Sequence, residues 1–410
     1  MAFLHDPITF IANWLQTLLT GWGLSSGLIT VILTFFGVLV AALLLLVLDF
    51  SLVWVERKTV ARFQDRIGPN RIGPFGIFQP VPDVIKLLIK EDITPEGADK
   101  IVYNLAPIFG LWAVLLLWAV IPFGYKILGT DINVGVLYIV AVGALGTLGI
   151  IMAGWASNNK YGLLGAFRMV AQMVSFEVPM VISLLVPVIL ARTMGINGII
   201  EAQGGMWFII VSPLAALILL ISAQAELGRA PFDLAEAESE IVAGFHIEYT
   251  GIKFGMFYAG ELLHALTFGA IISALFLGGW RGPGAETFPF LGVVYLFIKA
   301  FILYFMIMWF KYSLPRLRID QMLNFNWKFL TPLALALLIF TAILSKILEN
   351  AGITLRSSPL LFSGLFLTMN LVLVGVTVLF LRTYGSKRPK VIAEPRPVAV
   401  TPETPATDIS

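Results

Sequence analysis

Apolar runs recur along the chain, separated by short polar segments, and most are too long for a helix or strand of a soluble domain. Crossing a hydrocarbon core takes about 20 mainly apolar residues. Nine stretches reach that length, near 27–54, 102–123, 132–154, 174–193, 206–224, 255–279, 288–311, 329–348 and 359–381. Residues 8–20, ITFIANWLQTLLT, are shorter and mixed, which suits an amphipathic helix lying on a membrane surface. The pattern predicts an all-α membrane protein: a polytopic bundle of about nine transmembrane helices, with an N-terminal amphipathic surface helix and structured cytoplasmic loops. The first 26 residues form the surface segment, and the tail from 384 to 410, rich in Pro, Lys, Arg, Thr and Glu, is predicted to be disordered.

Composition sharpens this. Charged residues make up 13% of the chain, about half the share of a soluble domain. The chain has no cysteine, so it cannot ligate an iron–sulfur cluster through thiolates or form a disulfide. His5, His246 and His264 are too few and too scattered for a haem or zinc site, and His264 reads as a packed polar residue. Any redox cofactor therefore sits in a partner or is the substrate. The net charge of +2 gives no reason to expect nucleic acid. The start, MAFLHDPITF, lacks the basic n-region of a signal peptide.

Lys and Arg set the expected orientation. Alternate loops, together with the tail, hold 21 of the 27 bases, which places the C-terminus in the cytoplasm and the N-terminus outside. Lys299 lies inside a span.

One loop on the basic side is acidic instead. Residues 225–249, AELGRAPFDLAEAESEIVAGFHIEY, carry Glu226, Asp233, Glu236, Glu238, Glu240 and Glu248 against the single base Arg229. Pro231 implies a turn, and Asp233 followed by Glu236 resembles a helix start. Glu236 and Glu240 then share a face, with Glu238 elsewhere. Carboxylates this close raise one another's proton affinity, so the cluster can hold and pass protons; a solvated loop with a capped helix explains the acids equally well. Glu177, in VSFEVPMVISLLVPVI, and Glu261, in FYAGELLHALTF, stand within apolar runs, where an acid is costly and usually faces a bundle interior or a water path. The plainer alternative puts both at wet helix ends. Arg168 precedes Glu177 by about two and a half helical turns, so it anchors its loop or pairs with the acidic one.

The first long loop repeats IGP at 67–69 and 72–74, implying a non-helical path, ordered or not. VPDVIKLLIKED follows as a short amphipathic helix, with Val84, Leu87 and Leu88 inward and Lys86 and Lys90 outward. The loop is either a docking surface and cavity wall or an ordinary basic loop. No phosphate loop, dinucleotide fingerprint, hydrolase elbow or metal motif is present.

Four segments together resemble the H-type membrane subunit of respiratory complex I, the NADH-quinone oxidoreductase. They are ERKTVARFQDRIGPNRIGPFGIFQPVPDVIKL, GWASNNKYGLLGAFRMVAQMVSFEVPM, AELGRAPFDLAEAESEIVAGFHIEYTG and PRLRIDQMLNFNWKFLTPLAL. The resemblance covers a core of eight spans, 27–348, and leaves the helix in 349–383 as an extension. It implies a subunit that, with peripheral-arm partners carrying the quinone-site side chains and the terminal iron–sulfur cluster, walls a chamber where quinone is reduced. The implied substrate is ubiquinone or menaquinone, with no metal, flavin or iron–sulfur cluster on this chain. Small membrane subunits and antiporter-like subunits are the other implied partners, within a prokaryotic cell membrane. By this resemblance Glu177, Glu226, Asp233, Glu236, Glu238, Glu240, Glu248 and Glu261 couple quinone reduction to proton translocation. Arg168 and Arg229 are loop bases, and Glu56, Arg57, Arg62, Asp83 and Lys86 belong to the docking and quinone-entrance loop. The chain departs from the family at Leu262, where a Tyr is common.

Two other membrane complexes or machines compete with this reading. A membrane-bound hydrogenase has a related heel subunit, although GPNRIGPFGIFQP and PFDLAEAESE favour the quinone branch. A stand-alone ion transporter predicts inverted repeats and broken helices about a midplane site, and no internal repeat is visible. A purely structural anchor leaves the intramembrane acids unexplained.

Overall fold

The structure, a computed structural model, describes residues 7–125, 127–234, 244–355 and 357–386, the first four and last three of them by backbone only. The apolar runs become helices named here in chain order: α1 (Pro7–Gly21), α2 (Ser26–Phe63), α3 (Pro80–Ile89), α4 (Lys100–Leu117), α5 (Gly135–Ala156), α6 (Lys160–Ala191), α7 (Ile196–Ala202), α8 (Phe208–Val211), α9 (Pro213–Glu226), α10 (Gly251–Phe276), α11 (Pro289–Ser313), α12 (Ile319–Phe325), α13 (Thr331–Asn350) and α14 (Pro359–Ser386). Among the described residues eight helices are long and apolar enough to cross a membrane. Their outer faces expose large apolar side chains such as Phe35, Trp112, Trp309 and Phe380, as lipid contact requires and a soluble surface does not allow.

The fifth expected span, 206–224, is not continuous. It is built from α8 and α9, which are separated at Ser212, whose backbone is non-helical (φ −137°, ψ 73°). Pro213 has no N–H to continue the ladder, so a carbonyl is freed inside the bundle. Asn370 of α14 meets that break: its side-chain amide donates to the Val211 carbonyl at 3.4 Å and accepts from the Ser212 hydroxyl at 3.5 Å. Such side-chain rescue is what makes a broken helix tolerable at membrane depth. A second irregularity joins α12 to α13 through a π-helical turn, Asn326–Leu330, just before Pro332. The two helices and the turn make one 32-residue span.

At the centre stands α10, with 83% of its apolar stretch buried, against 6% for the peripheral α2. Its neighbours pack closely because small residues face it: a Cβ on Gly269 would lie 2.6 Å from the Ala300 carbonyl of α11. Between α4 and α5 the same device operates, with Gly149 against the Gly110 backbone. Local caps place the helix starts. Asp99 accepts from the Ile101 and Val102 amides, and Asn159 from the Tyr161 amide.

Several helices run past the expected ends. α2 continues to Phe63, nine residues beyond the predicted limit, and α6 begins at Lys160 rather than near 174. The double IGP segment is an ordered non-helical path, with Gly68, Gly73 and Gly76 all at positive φ. The Trp54 indole donates to the Phe75 carbonyl at 3.2 Å and pins this path to α2. The short helix α3 forms as expected, but only Val84 and Leu87 are sheltered; Leu88 is 63% exposed. Leu87 fills the notch at Gly255 of α10 instead, which rotates Leu88 outward. The predicted disordered tail lies outside the described residues beyond Ser386.

Lys299, inside α11, spends all three ammonium protons on carbonyls. It donates to Leu277, Gly279 and Arg281 at 2.8 Å each, closing the C-terminal end of α10 where the helix dipole is negative. Lys299→Met leaves those carbonyls without their donor and is expected to cost about 2–3 kcal/mol, read as a lower thermal midpoint of the purified protein in detergent.

Candidate functional site

The segment after α9 folds back into the bundle, and polar side chains from neighbouring helices hold it there. Gln172 of α6 donates to the carbonyls of Ala225 and Phe232, both at 2.7 Å. Gln224 donates to the Ala230 carbonyl at 2.7 Å, and the Leu317 amide to the Pro231 carbonyl at 2.9 Å. The result is that Arg229 points inward with 1% of its surface exposed.

Arg229 meets an acid there. Its Nε donates to Glu261 Oε1 of α10 at 3.1 Å, and Nη1 lies 3.1 Å from the Met308 sulfur of α11. Lys311 of α11 approaches the same Glu261 oxygen to 3.8 Å while donating to Glu56 Oε1 at 3.0 Å. Glu56 also accepts from the Tyr312 hydroxyl at 2.7 Å and the Tyr258 hydroxyl at 3.2 Å. Two carboxylates, one guanidinium and one ammonium thus form a neutral cluster at the basic-loop end of the bundle. Burial disfavours the Arg229 charge, but Glu261 and Glu56 outweigh it and hold the guanidinium more firmly protonated than usual.

A second pair adjoins the first. Glu226, the last residue of α9, is 3% exposed with Oε2 unpaired among the described residues, and Glu177 of α6 is close enough to act on its charge. Asn326 of the π-helical turn donates to the Ser175 carbonyl at 2.6 Å, fixing α6 two residues before Glu177. Glu226 and Glu261 open on a cavity of about 110 Å³, whose polar lining is completed by His246, Tyr258 and His264. A cavity of this size with several polar groups has room for a few water molecules. Burial pushes the His246 imidazole below its usual range, offset in part by Glu261.

Of the expected site residues, Glu177 and Glu261 lie in the interior of α6 and α10 and are half-buried, and Arg229 and, through Lys311, Glu56 gather at Glu261. Glu56, Arg57 and Arg62 lie on the extended α2 and not in the loop, because the helix runs to Phe63. Asp83 pairs with Arg57 at 2.6 Å, tying α3 to α2, while Lys86 and Arg62 are exposed. Asp233 pairs with Arg316 at 2.8 Å, at the edge of the cluster. Glu248 is held apart, accepting from Asn159 at 2.6 Å beside the stacked rings of Tyr103 and Tyr249. Arg168 is half-buried on α6. Glu236, Glu238 and Glu240, and the helix start expected there, lie outside the described residues.

Sequence reasoning missed Lys311, Tyr258, Tyr312, Tyr304 and Asp49. The tyrosines carried no sequence signal, and Lys311 was counted only as an orienting base. Asp49 was legible as an acid within an apolar run, VLVAALLLLVLDFSLVWV.

A family model described as NADH dehydrogenase matches residues 35–342, three quarters of the chain and every residue of the cluster. The chain belongs to the NADH dehydrogenase family. Among curated members, the H-type subunit of the Dehalococcoides mccartyi NADH-quinone oxidoreductase is 48% identical over 334 residues, covering 81% of this chain and 90% of the relative. Its counterpart in Geobacillus kaustophilus is 47% identical over 312 residues, covering 75% and 93%. The second of the H-type subunits in Geobacter sulfurreducens is 45% identical over 316 residues, covering 74% and 94%. The residues matched by the family model end before α14, the helix whose Asn370 meets the Ser212 break.

Removing one partner of a buried ion pair strands the other. Arg229→Met is expected to destabilise the protein by about 3–5 kcal/mol, and the double variant Arg229→Met/Glu261→Gln to recover much of that. Thermal unfolding of the four purified proteins of this cycle gives both values.

Proposed function

We propose that this chain is the H-type membrane subunit of a proton-translocating NADH-quinone oxidoreductase. It forms part of the quinone-binding chamber and couples quinone reduction to proton movement through its buried carboxylates. The quinone takes up two electrons and two protons to become a quinol. The electrons come from NADH through redox groups on partner subunits, since this chain supplies no thiolate ligand.

The observation that carries the reading is Glu261 shared between Arg229 and Lys311, which also holds Glu56, with a polar-lined cavity that Glu261 and Glu226 both line. In such a cluster, protonation of one carboxylate changes the field at every other, since burial leaves little water to screen it. A change in quinone charge at the basic-loop end is felt first by Asp233 and the cluster, and protons redistribute through Glu177, Glu226 and Glu261. Arg229 balances the acids of this path, and the remaining acids of the 225–249 segment, Glu236, Glu238, Glu240 and Glu248, together with the base Arg168, are read as part of the same coupling apparatus from the sequence. The α2–α3 face, with the Arg57–Asp83 pair, Glu56, Arg62 and Lys86 and the exposed Phe75, Phe78 and Ile85, suits the quinone entrance and the docking of peripheral-arm subunits. The basic loops face the cytoplasm of a prokaryotic cell membrane, and the small and antiporter-like membrane subunits occupy the lipid-side flanks.

Purification of the tagged chain in mild detergent from its native membrane is expected to bring down iron–sulfur and antiporter-like subunits with inhibitor-sensitive NADH:quinone activity. In assembled complex, Glu177→Gln and Asp233→Asn are each expected to lower coupled quinone reduction by about tenfold or more. Full turnover with full proton pumping in both variants would overturn the coupling role. Hydrogenase activity in the purified complex would place the chain in the sister branch, and ion flux by the chain alone would make it a transporter.

A further inference from the structure

Among the described residues, His246 is the ionisable side chain that the loop between α9 and α10 gives to the cavity wall. The coupling path through Glu177, Glu226 and Glu261 does not use it. The loop is held tightly at this point. A Cβ on Gly165 of α6 would lie 2.7 Å from the Gly244 backbone, and the Tyr249 amide donates to the His246 carbonyl at 3.0 Å. The imidazole meets the Phe245 ring edge-on at 5.0 Å and the Phe254 ring of α10 at 5.5 Å. Among the described residues neither ring nitrogen is taken up by a hydrogen bond. A neutral imidazole has one donor and one acceptor nitrogen, and burial favours that neutral form here.

The Phe254 contact fixes the level of His246 along α10. Phe254, Tyr258 and Glu261 follow at helical spacing and share a face, with Glu261 about 10 Å beyond Phe254 along the axis. All three line the cavity, as do His264 one turn further and Glu226 of α9, so the space runs beside α10 from His246 to Glu261. It stays open because small residues stand on its far wall. Gly110 of α4 and Gly143 and Gly146 of α5 line it, and a Cβ on Gly146 would meet only Ala113, at 4.0 Å. Neither these helices nor α6 give the wall a charged side chain. Buried water needs two to four polar partners. The Tyr258 hydroxyl is already given to Glu56 at 3.2 Å, and Glu261 Oε1 accepts from Arg229 at 3.1 Å. The imidazole, with both nitrogens free, is the group that can anchor water at the loop end. We propose that His246 is a positioning residue of the proton path, holding the loop-side end of a chain of about three hydrogen-bonded waters that leads along α10 to Glu261 and Glu226. Protons pass by exchange between waters, one O–H bond forming as the next breaks, and His246 ends each passage unchanged.

This rests on the coupling role proposed above, and the test separates the two. The complete complex carrying His246→Phe, His246→Asn, Gly146→Val or Glu261→Gln is reconstituted in lipid vesicles and compared with the parent. Coupled quinone reduction is measured in water and in deuterium oxide. His246→Phe keeps a ring against Phe254 but offers water no hydrogen bond. It is expected to lower coupled turnover about fivefold or more and to raise the solvent isotope effect. His246→Asn, whose amide both donates and accepts, is expected to restore turnover to within about twofold of the parent. Gly146→Val fills the cavity from the α5 side and is expected to reproduce the His246→Phe loss. Parental turnover and isotope effect in His246→Phe, or equal losses in His246→Phe and His246→Asn, overturn the inference. Should His246→Phe not assemble, Gly146→Val decides alone, and parental turnover there overturns it. Loss of coupling in Glu261→Gln alongside parental His246→Phe sinks only the water chain. Parental coupling in Glu261→Gln sinks the reading it rests on.

Discussion

A guanidinium sealed inside a helix bundle is the constraint around which this protein is arranged. Arg229 is 1% exposed, and an isolated charge there would be prohibitively costly. It is tolerable only because Glu261 accepts directly from it and Glu56 lies near. Those acids come from α10 and α2, so the ion pairs also decide how the helices stand against one another. The loop bearing Arg229 has to turn inward, and Gln172 and Gln224 hold it by giving their amide protons to its carbonyls. Removing any one of these contacts leaves another buried group unpaired, which makes the cluster a cooperative unit.

The same arrangement that stabilises the bundle makes it responsive. Glu261 is shared by two cations, Glu56 by one cation and two hydroxyls, and Glu226 and Glu261 line one small polar-lined cavity. None of these acids has a private partner, so a proton arriving at one redistributes charge over all. A hydrophobic core of equal size would be stiffer and electrically silent. The cluster stands at the end of the bundle where the basic loops lie, the side on which the proposed function needs this responsiveness.

Irregular backbone is confined to places where another side chain makes good the lost hydrogen bonds. Asn370 meets the gap at Ser212, Lys299 gathers the carbonyls beyond α10, and Asn326 reaches from the π-helical turn to α6. The broken α8–α9 helix is thus met by Asn370 of α14.

The spans, the odd acidic loop, Glu177 and Glu261 were all legible in the chain itself, because membrane length and the cost of an intramembrane charge are properties of local composition. The fifth span read as continuous because a hydropathy window averages over Pro213, whereas the helix ladder cannot. Lys311 read as one base among many, since its partner Glu56 lies 255 positions away and no local rule connects them. Similar separations hid Tyr258 and Tyr312, whereas Glu248, near the cluster in sequence, is turned away from it to Asn159. Composition and apolar length determined that this is a helical membrane protein with costly buried acids. Which acids share a cation was decided only when α2, α10 and α11 met, because electrostatic partnership depends on spatial distance.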